Sequence, residues 1–77
     1  MEDDYKVVML EDIDTEVIKL EGWRLDRMFE GDRENTMNIY ETAMKYASKL
    51  SAQFRVGIRP ITHDESIFME VYRKDKA

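Results

Sequence analysis

The strongest constraint on the fold is one amphipathic stripe in the middle of the chain. Apolar side chains recur there at positions i, i+3, i+4 and i+7, the period of a helix with one buried face. The stripe consists of Tyr40, Ala43, Met44, Ala47 and Leu50. It predicts a helix from about Glu34 to Ala52, with Asp32 or Asn35 as its N-terminal cap. Its two alanines allow the helix to lie close to a sheet.

The segments on either side of this helix alternate between apolar and polar residues, as strands do. Four strands are predicted, at Tyr5–Leu10, Trp23–Phe29, Phe54–Ile58 and Ile67–Tyr72. The last two form a hairpin across the polar loop 62–66. We expect Gly31-Asp32 to end the second strand, and Pro60 to end the third or place it at an edge. Residues 16–20 fit either a further strand or a short helix capped by Asp14 and stopped at Gly22.

The order β-β-α-β-β predicts an α+β fold with one antiparallel sheet of about four strands and a single helix packed on one face. Residues 1–77 are expected to form a single domain. Residues 1–4 and 73–77 are expected to fray. The sheet's second face is then only half covered.

A chain of 77 residues holds one small core and needs reinforcement. The absence of cysteine excludes disulfides and thiolate zinc sites, and a single histidine disfavours a histidine-based one. Self-association is the remaining route, so we expect a homodimer. Aromatic side chains on the second face of the sheet, Trp23, Phe68 and Tyr72, are its predicted contacts. The alternative is that they are scattered surface or core residues.

The net charge of −5 is unevenly placed along the chain. Residues 1–34 carry twelve acids against five bases, and residues 35–77 carry five acids against seven bases. No segment approaches the ~18 apolar residues of a membrane span. The start, Met1-Glu2-Asp3-Asp4, is the reverse of a basic signal peptide. We expect the protein to stay in the cytoplasm.

Catalytic and metal-binding patterns are incomplete. Asp12-Ile13-Asp14-Thr15-Glu16 begins like a calcium loop, but Val17 and Trp23 stand where an EF-hand needs glycine and glutamate. His63 adjoins two carboxylates without a nucleophile in a suitable context. Three isolated glycines exclude a glycine-rich phosphate loop. The sequence therefore predicts no enzyme, no metal and no cofactor.

The acidic first part of the chain, residues 1–34, is interpreted as a surface for a basic partner. The alternative is that its acids only keep the protein soluble. If residues 12–16 are extended, their carboxylates share one side, ~7 Å apart. A rigid row of carboxylates imitates a phosphate backbone and attracts proteins that bind nucleic acid. The predicted row consists of Glu11, Asp12, Asp14, Glu16, Glu21, Asp26, Glu30, Asp32 and Glu34.

In its size, its acidic start, its lack of cysteine and its acid-rich segment from Glu11 to Glu34, the chain resembles small bacteriophage host-takeover proteins of the DNA-mimic kind. The resemblance implies a non-enzymatic inhibitor, acting in the host cytoplasm, that fills the DNA site of a basic host protein such as a histone-like nucleoid protein. These proteins share no common fold, so the resemblance implies no residue roles. The more basic second half departs from the pattern and leaves one face for mimicry.

Two alternatives remain. The first is a small adaptor or assembly module that binds through its aromatic sheet face. The second is a weak nucleic-acid-binding domain that uses its basic C-terminal strands, since stacking aromatics beside cations bind single strands. The residues of the second are Arg55, Arg59, Arg73, Lys74 and Lys76, interleaved with Phe54, Phe68 and Tyr72.

Overall fold

A four-stranded mixed sheet carries the fold, and one long helix packs across one of its faces. The computed structural model describes residues 7–11 and 13–76. A 3₁₀ turn, Arg33–Asn35, leads directly into the long helix. The elements in chain order are β1 (Val7–Met9), α1 (Thr15–Leu20), β2 (Arg24–Asp32), α2 (Thr36–Leu50), β3 (Arg55–His63) and β4 (Ser66–Lys74).

The strands lie side by side in the order β1-β3-β4-β2. The predicted α+β class, with about four strands and one main helix, is confirmed. The prediction of a purely antiparallel sheet is wrong, because β1 runs parallel to β3. The reason is the path of the chain: β2 carries it to one end of the sheet and α2 brings it back. As a result, β3 begins at the same end as β1.

The segment that fitted either a strand or a short helix is the helix α1. Asp14 occupies its N-cap position, and the chain turns away at Gly22, whose φ of 97° favours glycine. Six residues are too few for a stable isolated helix. Ile18, which is fully buried, holds α1 against the sheet.

Strand β2 does not stop before Gly31. It continues through Gly31 and Asp32, which lie opposite Ile67 and Ser66 of β4. A Cβ atom at Gly31 would overlap the side chain of Ile39 on α2. The glycine therefore allows the helix to lie close to the sheet and does not break the strand.

Pro60 does not end β3, which extends to His63. Proline has no N–H to donate, so a strand tolerates it where no neighbouring strand needs that bond. Strand β1 covers β3 only as far as Ile58, and Pro60 lies beyond that point. Strand β4 likewise continues through Lys74, paired with Arg55, so residues 73–74 are not frayed. Residues 1–4 lie outside the described residues.

The two faces of the sheet are closed differently. On the helix face, α2 packs on the largest core cluster: Ala43, Ala47, Val56, Ile58, Ile67, Met69 and Val71. On the opposite face, which we call the open face, α1 covers a smaller cluster: Leu10, Ile18, Trp23 and Tyr72, with Ile13 against it. The open face beside β2 stays uncovered, and Leu25 and Met28 are about half exposed there.

Candidate binding surface

The two ends of the sheet differ in charge. At one end β2 finishes and a two-residue turn, Asp64-Glu65, joins β3 to β4. We call this the turn end. At the other, the terminal end, β3 begins and β4 finishes. Strands β2, β3 and β4 run the full height of the sheet, so they separate the charged residues of the turn end from those of the terminal end.

Arg33 fastens the turn end together. Its backbone N–H donates to the carbonyl oxygen of Glu65 at 2.9 Å, and its Nη1 donates to the carbonyl oxygen of Asp64 at 2.9 Å. Asp64 has a left-handed φ of 56°, which aspartate tolerates better than most residues. The end of β2 and the hairpin turn are therefore held side by side.

Exposed carboxylates from three segments meet at this fastened end. They come from β2, from the 3₁₀ turn and from the hairpin turn. We call the set Glu30, Asp32, Glu34, Asp64 and Glu65 the acidic end. Glu11 adds a further exposed carboxylate near the turn end on the β1 side, beside Pro60–Thr62. With strands ~5 Å apart, the acids extend across ~15 Å of the sheet's width.

The acidic end contains three members of the predicted row, Glu30, Asp32 and Glu34. The other predicted members are dispersed. Asp14 and Glu16 lie at the start of α1, and the helix removes the extended spacing on which that part of the row depended. Asp12 lies outside the described residues. The row is thus split between the turn end and α1.

Two predicted members of the row have local partners. Glu21 follows α1 near the terminal end, where its carbonyl oxygen accepts a hydrogen bond from Lys74 Nζ at 3.0 Å. Asp26 sits at a β-bulge in β2, and its side chain is only 12% exposed. It accepts a hydrogen bond from the hydroxyl of Tyr46 and lies 3.5 Å from Arg73 Nη1. Asp26 therefore belongs to the molecule's internal packing.

Asp64 and Glu65 were not in the predicted row because they follow the helix in sequence. The available signal was the hairpin itself, since a turn between two strands lies at one end of a sheet. Sequence reasoning did not place the end of β2 beside that turn, a contact that Arg33 makes across 31 positions of the chain. Non-local pairing decides which acids become neighbours.

The terminal end brings like charges together. Arg24 lies directly opposite Arg73, and Arg55 lies directly opposite Lys74. Like charges in directly opposite positions destabilise a sheet. The protein compensates for part of this with aromatic rings: Arg73 lies 4.8 Å from the ring centre of Phe54, and Lys74 lies 4.7 Å from that of Trp23.

The three aromatic residues predicted for self-association are not equally accessible. Trp23 and Tyr72 are 6% and 3% exposed, because α1 covers them. They are core residues of the open face, which corrects the expectation that they form a contact surface. Phe68 is half-buried on the same face. Self-association through all three rings is incompatible with this packing.

A polar network lies beside the buried Tyr72. Its hydroxyl donates to Glu70 Oε1 at 2.7 Å, and Arg59 Nη1 donates to the same oxygen at 2.9 Å. Arg59 Nε also donates to the carbonyl oxygen of Ile13, which ties the entry of α1 to β3. Burial, followed by the bond to Glu70, raises the pKa of Tyr72 to about 12. The phenol therefore stays protonated at neutral pH and acts as a structural donor.

The only histidine of the chain is a surface residue. The side chains of His63 and Asp64 are 78% and 87% exposed, and they approach each other to 3.4 Å. The described histidine, aspartate and glutamate residues form no group of three suited to hold a metal ion. Among residues 7–11 and 13–76, no helix has the length and apolar character needed to cross a bilayer.

Similarity to known proteins adds nothing to the description of the two charged ends. Comparison with protein-family models, with curated proteins and with solved structures finds no match for this chain. The surface carries carboxylates at the turn end and cations at the terminal end.

Proposed function

We propose that the chain is a non-enzymatic binding protein whose acidic end engages a basic protein of the kind that binds nucleic acid. The observation that carries this proposal is the meeting of five exposed carboxylates from three segments at one fastened end of the sheet. The partner's cations contact these carboxylates in place of phosphates. Binding of this kind inhibits the partner's attachment to DNA, in line with the resemblance to phage takeover proteins.

Rigidity supports the proposal as much as charge does. Carboxylates on a disordered tail lose conformational entropy when they bind, whereas those on a sheet end and a pinned turn are already in place. Charges on a low-dielectric scaffold also steer an oppositely charged partner during approach. The Debye length is ~10 Å at 0.1 M salt, so the acids within a width of ~15 Å act together only at modest ionic strength.

The test is displacement of labelled duplex DNA from a histone-like nucleoid protein, at low and at high salt. The test variant carries Glu30→Gln, Asp32→Asn, Glu34→Gln and Glu65→Gln. The matched control carries Glu16→Gln, Glu21→Gln, Glu41→Gln and Asp75→Asn. Both variants raise the net charge by four, so only the position of the charge differs.

We expect the unmodified chain to displace DNA at low salt and to lose this ability as salt rises. Exposed ion pairs contribute ~0.2–1 kcal/mol each. The test variant should therefore need about tenfold more protein for the same displacement, and the control should behave like the unmodified chain. Failure of the unmodified chain to displace DNA even at low salt contradicts the proposal. Equal loss in both variants shows that net charge, and not the acidic end, is responsible.

The terminal end supports a second candidate, direct binding of nucleic acid. The observation that favours it is the presence of two like-charge pairs, Arg24 opposite Arg73 and Arg55 opposite Lys74. A bound phosphate would relieve the repulsion within these pairs. Fluorescence anisotropy with a labelled single-stranded oligonucleotide tests it. Arg24→Gln with Arg55→Gln should weaken binding, whereas Lys45→Gln with Lys49→Gln on α2 should not. No binding at low salt eliminates this candidate.

A further inference from the structure

We propose that a small pocket at the terminal end of the sheet binds one phosphate group, and that it takes a terminal phosphate in preference to a phosphate within a nucleic-acid backbone. We call it the terminal pocket. Its lining residues are Gly22, Arg24, Phe54, Arg73, Lys74 and Asp75. The inference rests on the second candidate above for the place of binding and goes beyond it by naming the chemical group that binds. It does not depend on the acidic end.

The first observation is that cations from two adjacent strands meet at the terminal pocket. Arg24 begins β2, and Arg73 and Lys74 finish β4. The exposed Arg24 lies directly opposite Arg73, and like charges in such positions cost stability. The lining residues carry three positive charges against the single negative charge of Asp75. An anion in the pocket offsets the repulsion and is therefore the favoured ligand.

The second observation is that two of these cations are held in place without using all of their N–H groups. The guanidinium of Arg73 lies 4.8 Å from the ring centre of Phe54, and its Nη1 lies 3.5 Å from Asp26 Oδ1. Lys74 Nζ donates to the carbonyl oxygen of Glu21 at 3.0 Å. An arginine has five N–H donors and a lysine three, so both retain donors for phosphate oxygens. The side chain of Arg73 is still 36% exposed, so a ligand can reach it.

The third observation is the size of the terminal pocket. Its volume is about 160 Å³, below the ~300–1,000 Å³ of sites that enclose small organic ligands. A single tetrahedral anion suits such a volume better than a nucleobase with its sugar. A phosphate within a backbone has a sugar on either side, whereas a terminal phosphate has one attachment and can enter a small pocket.

Charge favours a terminal phosphate for a separate reason. It carries about −1.5 to −2 charges at neutral pH, whereas a phosphate within a backbone carries about −1. The excess of cations around the terminal pocket therefore attracts the terminal phosphate more strongly.

The net charge of −5 does not prevent an anion from binding at this end. Strand β2 runs from Arg24 to Asp32, a distance of ~25 Å at the rise of a strand. The carboxylates of the acidic end thus lie well beyond the Debye length, ~10 Å at 0.1 M salt. A ligand in the terminal pocket therefore responds mainly to the charges of the terminal end.

The first test is a titration of the full chain with inorganic phosphate at constant ionic strength, followed by amide NMR, with sodium chloride as the reference salt. The variant Arg24→Gln removes a cation that lines the terminal pocket. The matched control Arg55→Gln removes an exposed cation at the same end, opposite Lys74, that does not line the pocket. Circular dichroism checks that each variant is folded.

We expect saturable shifts of the amide signals of Gly22, Arg24, Arg73 and Lys74. Arg24→Gln should raise the Kd for phosphate about tenfold, because a charge-assisted contact is lost, and Arg55→Gln should raise it by about twofold or less. The absence of saturable shifts overturns the proposal. So do equal losses in the two variants, or shifts that sodium chloride reproduces, because the end as a whole then attracts anions without a site.

A second test separates this inference from the second candidate. Fluorescence anisotropy compares a single-stranded oligonucleotide that has a terminal phosphate with the same oligonucleotide ending in a hydroxyl group, each labelled at the other end. We expect the phosphorylated strand to bind more tightly, and Arg24→Gln to remove the difference. Equal binding of the two strands retains the second candidate but overturns the preference for a terminal phosphate. Saturable binding of inorganic phosphate without binding of either strand eliminates the second candidate and supports the pocket as a site for small phosphorylated ligands.

Discussion

The two faces of the sheet are built by different means. The helix face buries a continuous apolar cluster beneath the fifteen residues of α2. The open face combines four buried residues, a six-residue helix and a polar network around Glu70. Burial of apolar area is the main source of folding free energy. The comparison shows that the helix face holds the fold together, while the open face carries the exposed apolar and charged groups beside β2.

Shortening one buried side chain on each face should give the largest difference in unfolding free energy between the two faces. Ile58 and Ile18 are both fully buried, one in each cluster. Ile58→Ala should lower the free energy of unfolding by ~4 kcal/mol. Ile18→Ala should cost ~2 kcal/mol, because α1 detaches locally while the sheet and α2 persist. Urea denaturation followed by circular dichroism measures both, and a red shift of Trp23 fluorescence before the main transition reports the local step. Equal costs without this early step would show that the faces unfold as one unit.

The open face should contribute the larger part of the alkaline pH dependence of stability, because the pKa of Tyr72 is raised to about 12 there. The hydrogen bond to Asp26 also raises the pKa of Tyr46 on the helix face. The pKa of Tyr72 rises from 10.0 to about 12 on folding, mainly by burial. The stabilisation is therefore complete below pH 10, where the unfolded phenol is still protonated, and is lost as pH rises to about 12. The loss should amount to ~2 kcal/mol. Urea midpoints for the unmodified chain and Tyr72→Phe across this window measure it. Parallel curves for the two proteins would contradict the assignment.

A methyl group at Gly57 should disturb the point where β1 joins the open-face cluster. Its Cβ would lie 2.7 Å from Leu10 Cδ1 and 3.4 Å from the carbonyl oxygen of Val8. Gly57→Ala should cost ~1–2 kcal/mol, because Leu10 has to move from its buried position. The double variant Gly57→Ala with Leu10→Ala should be less destabilised than the sum of the two single changes. Additive costs would show that Leu10 is not what the methyl group displaces.

The smallest effect is expected on the helix face, at the bulge of β2. Tyr46→Phe removes the hydrogen bond to Asp26, while Arg73 still lies 3.5 Å from that carboxylate. The cost should be ~1 kcal/mol. Thermal unfolding measured by circular dichroism should show a correspondingly small fall in Tm. A cost as large as that of Ile18→Ala would mean that the bulge depends on this bond more than its partly buried position indicates.

The parts of the fold that local pattern determines were predicted from the sequence. The apolar stripe from Tyr40 to Leu50 gave α2, and alternation gave the hairpin of β3 and β4. The predicted strand ends at Gly31 and Pro60 were wrong, because tertiary contacts and not the residue type determine where these strands end. Gly31 lies within β2, at the point where Ile39 of α2 comes close to the sheet. Pro60 stays within its strand because β1 has already ended at that point.

The candidate site was less predictable, because it depends on which distant segments meet. The predicted row treated neighbours in sequence as neighbours in space. Instead, the helix α1 removed the extended spacing of Asp14 and Glu16, and Arg33 holds the Asp64-Glu65 turn beside the end of β2. Burial of Trp23 and Tyr72 followed from the same choice of a helix for residues 15–20. One ambiguous segment therefore determined both which acids left the predicted row and which aromatic side chains are accessible.

The position of Pro60 has a consequence for assembly size. Among the described residues, the edge opposite β2 consists of the three-residue β1 and, beyond it, the stretch of β3 that contains Pro60. Such an edge offers little to an incoming strand. Head-to-tail growth of the sheet through successive copies needs both outer edges, so the shortness of this edge disfavours such growth.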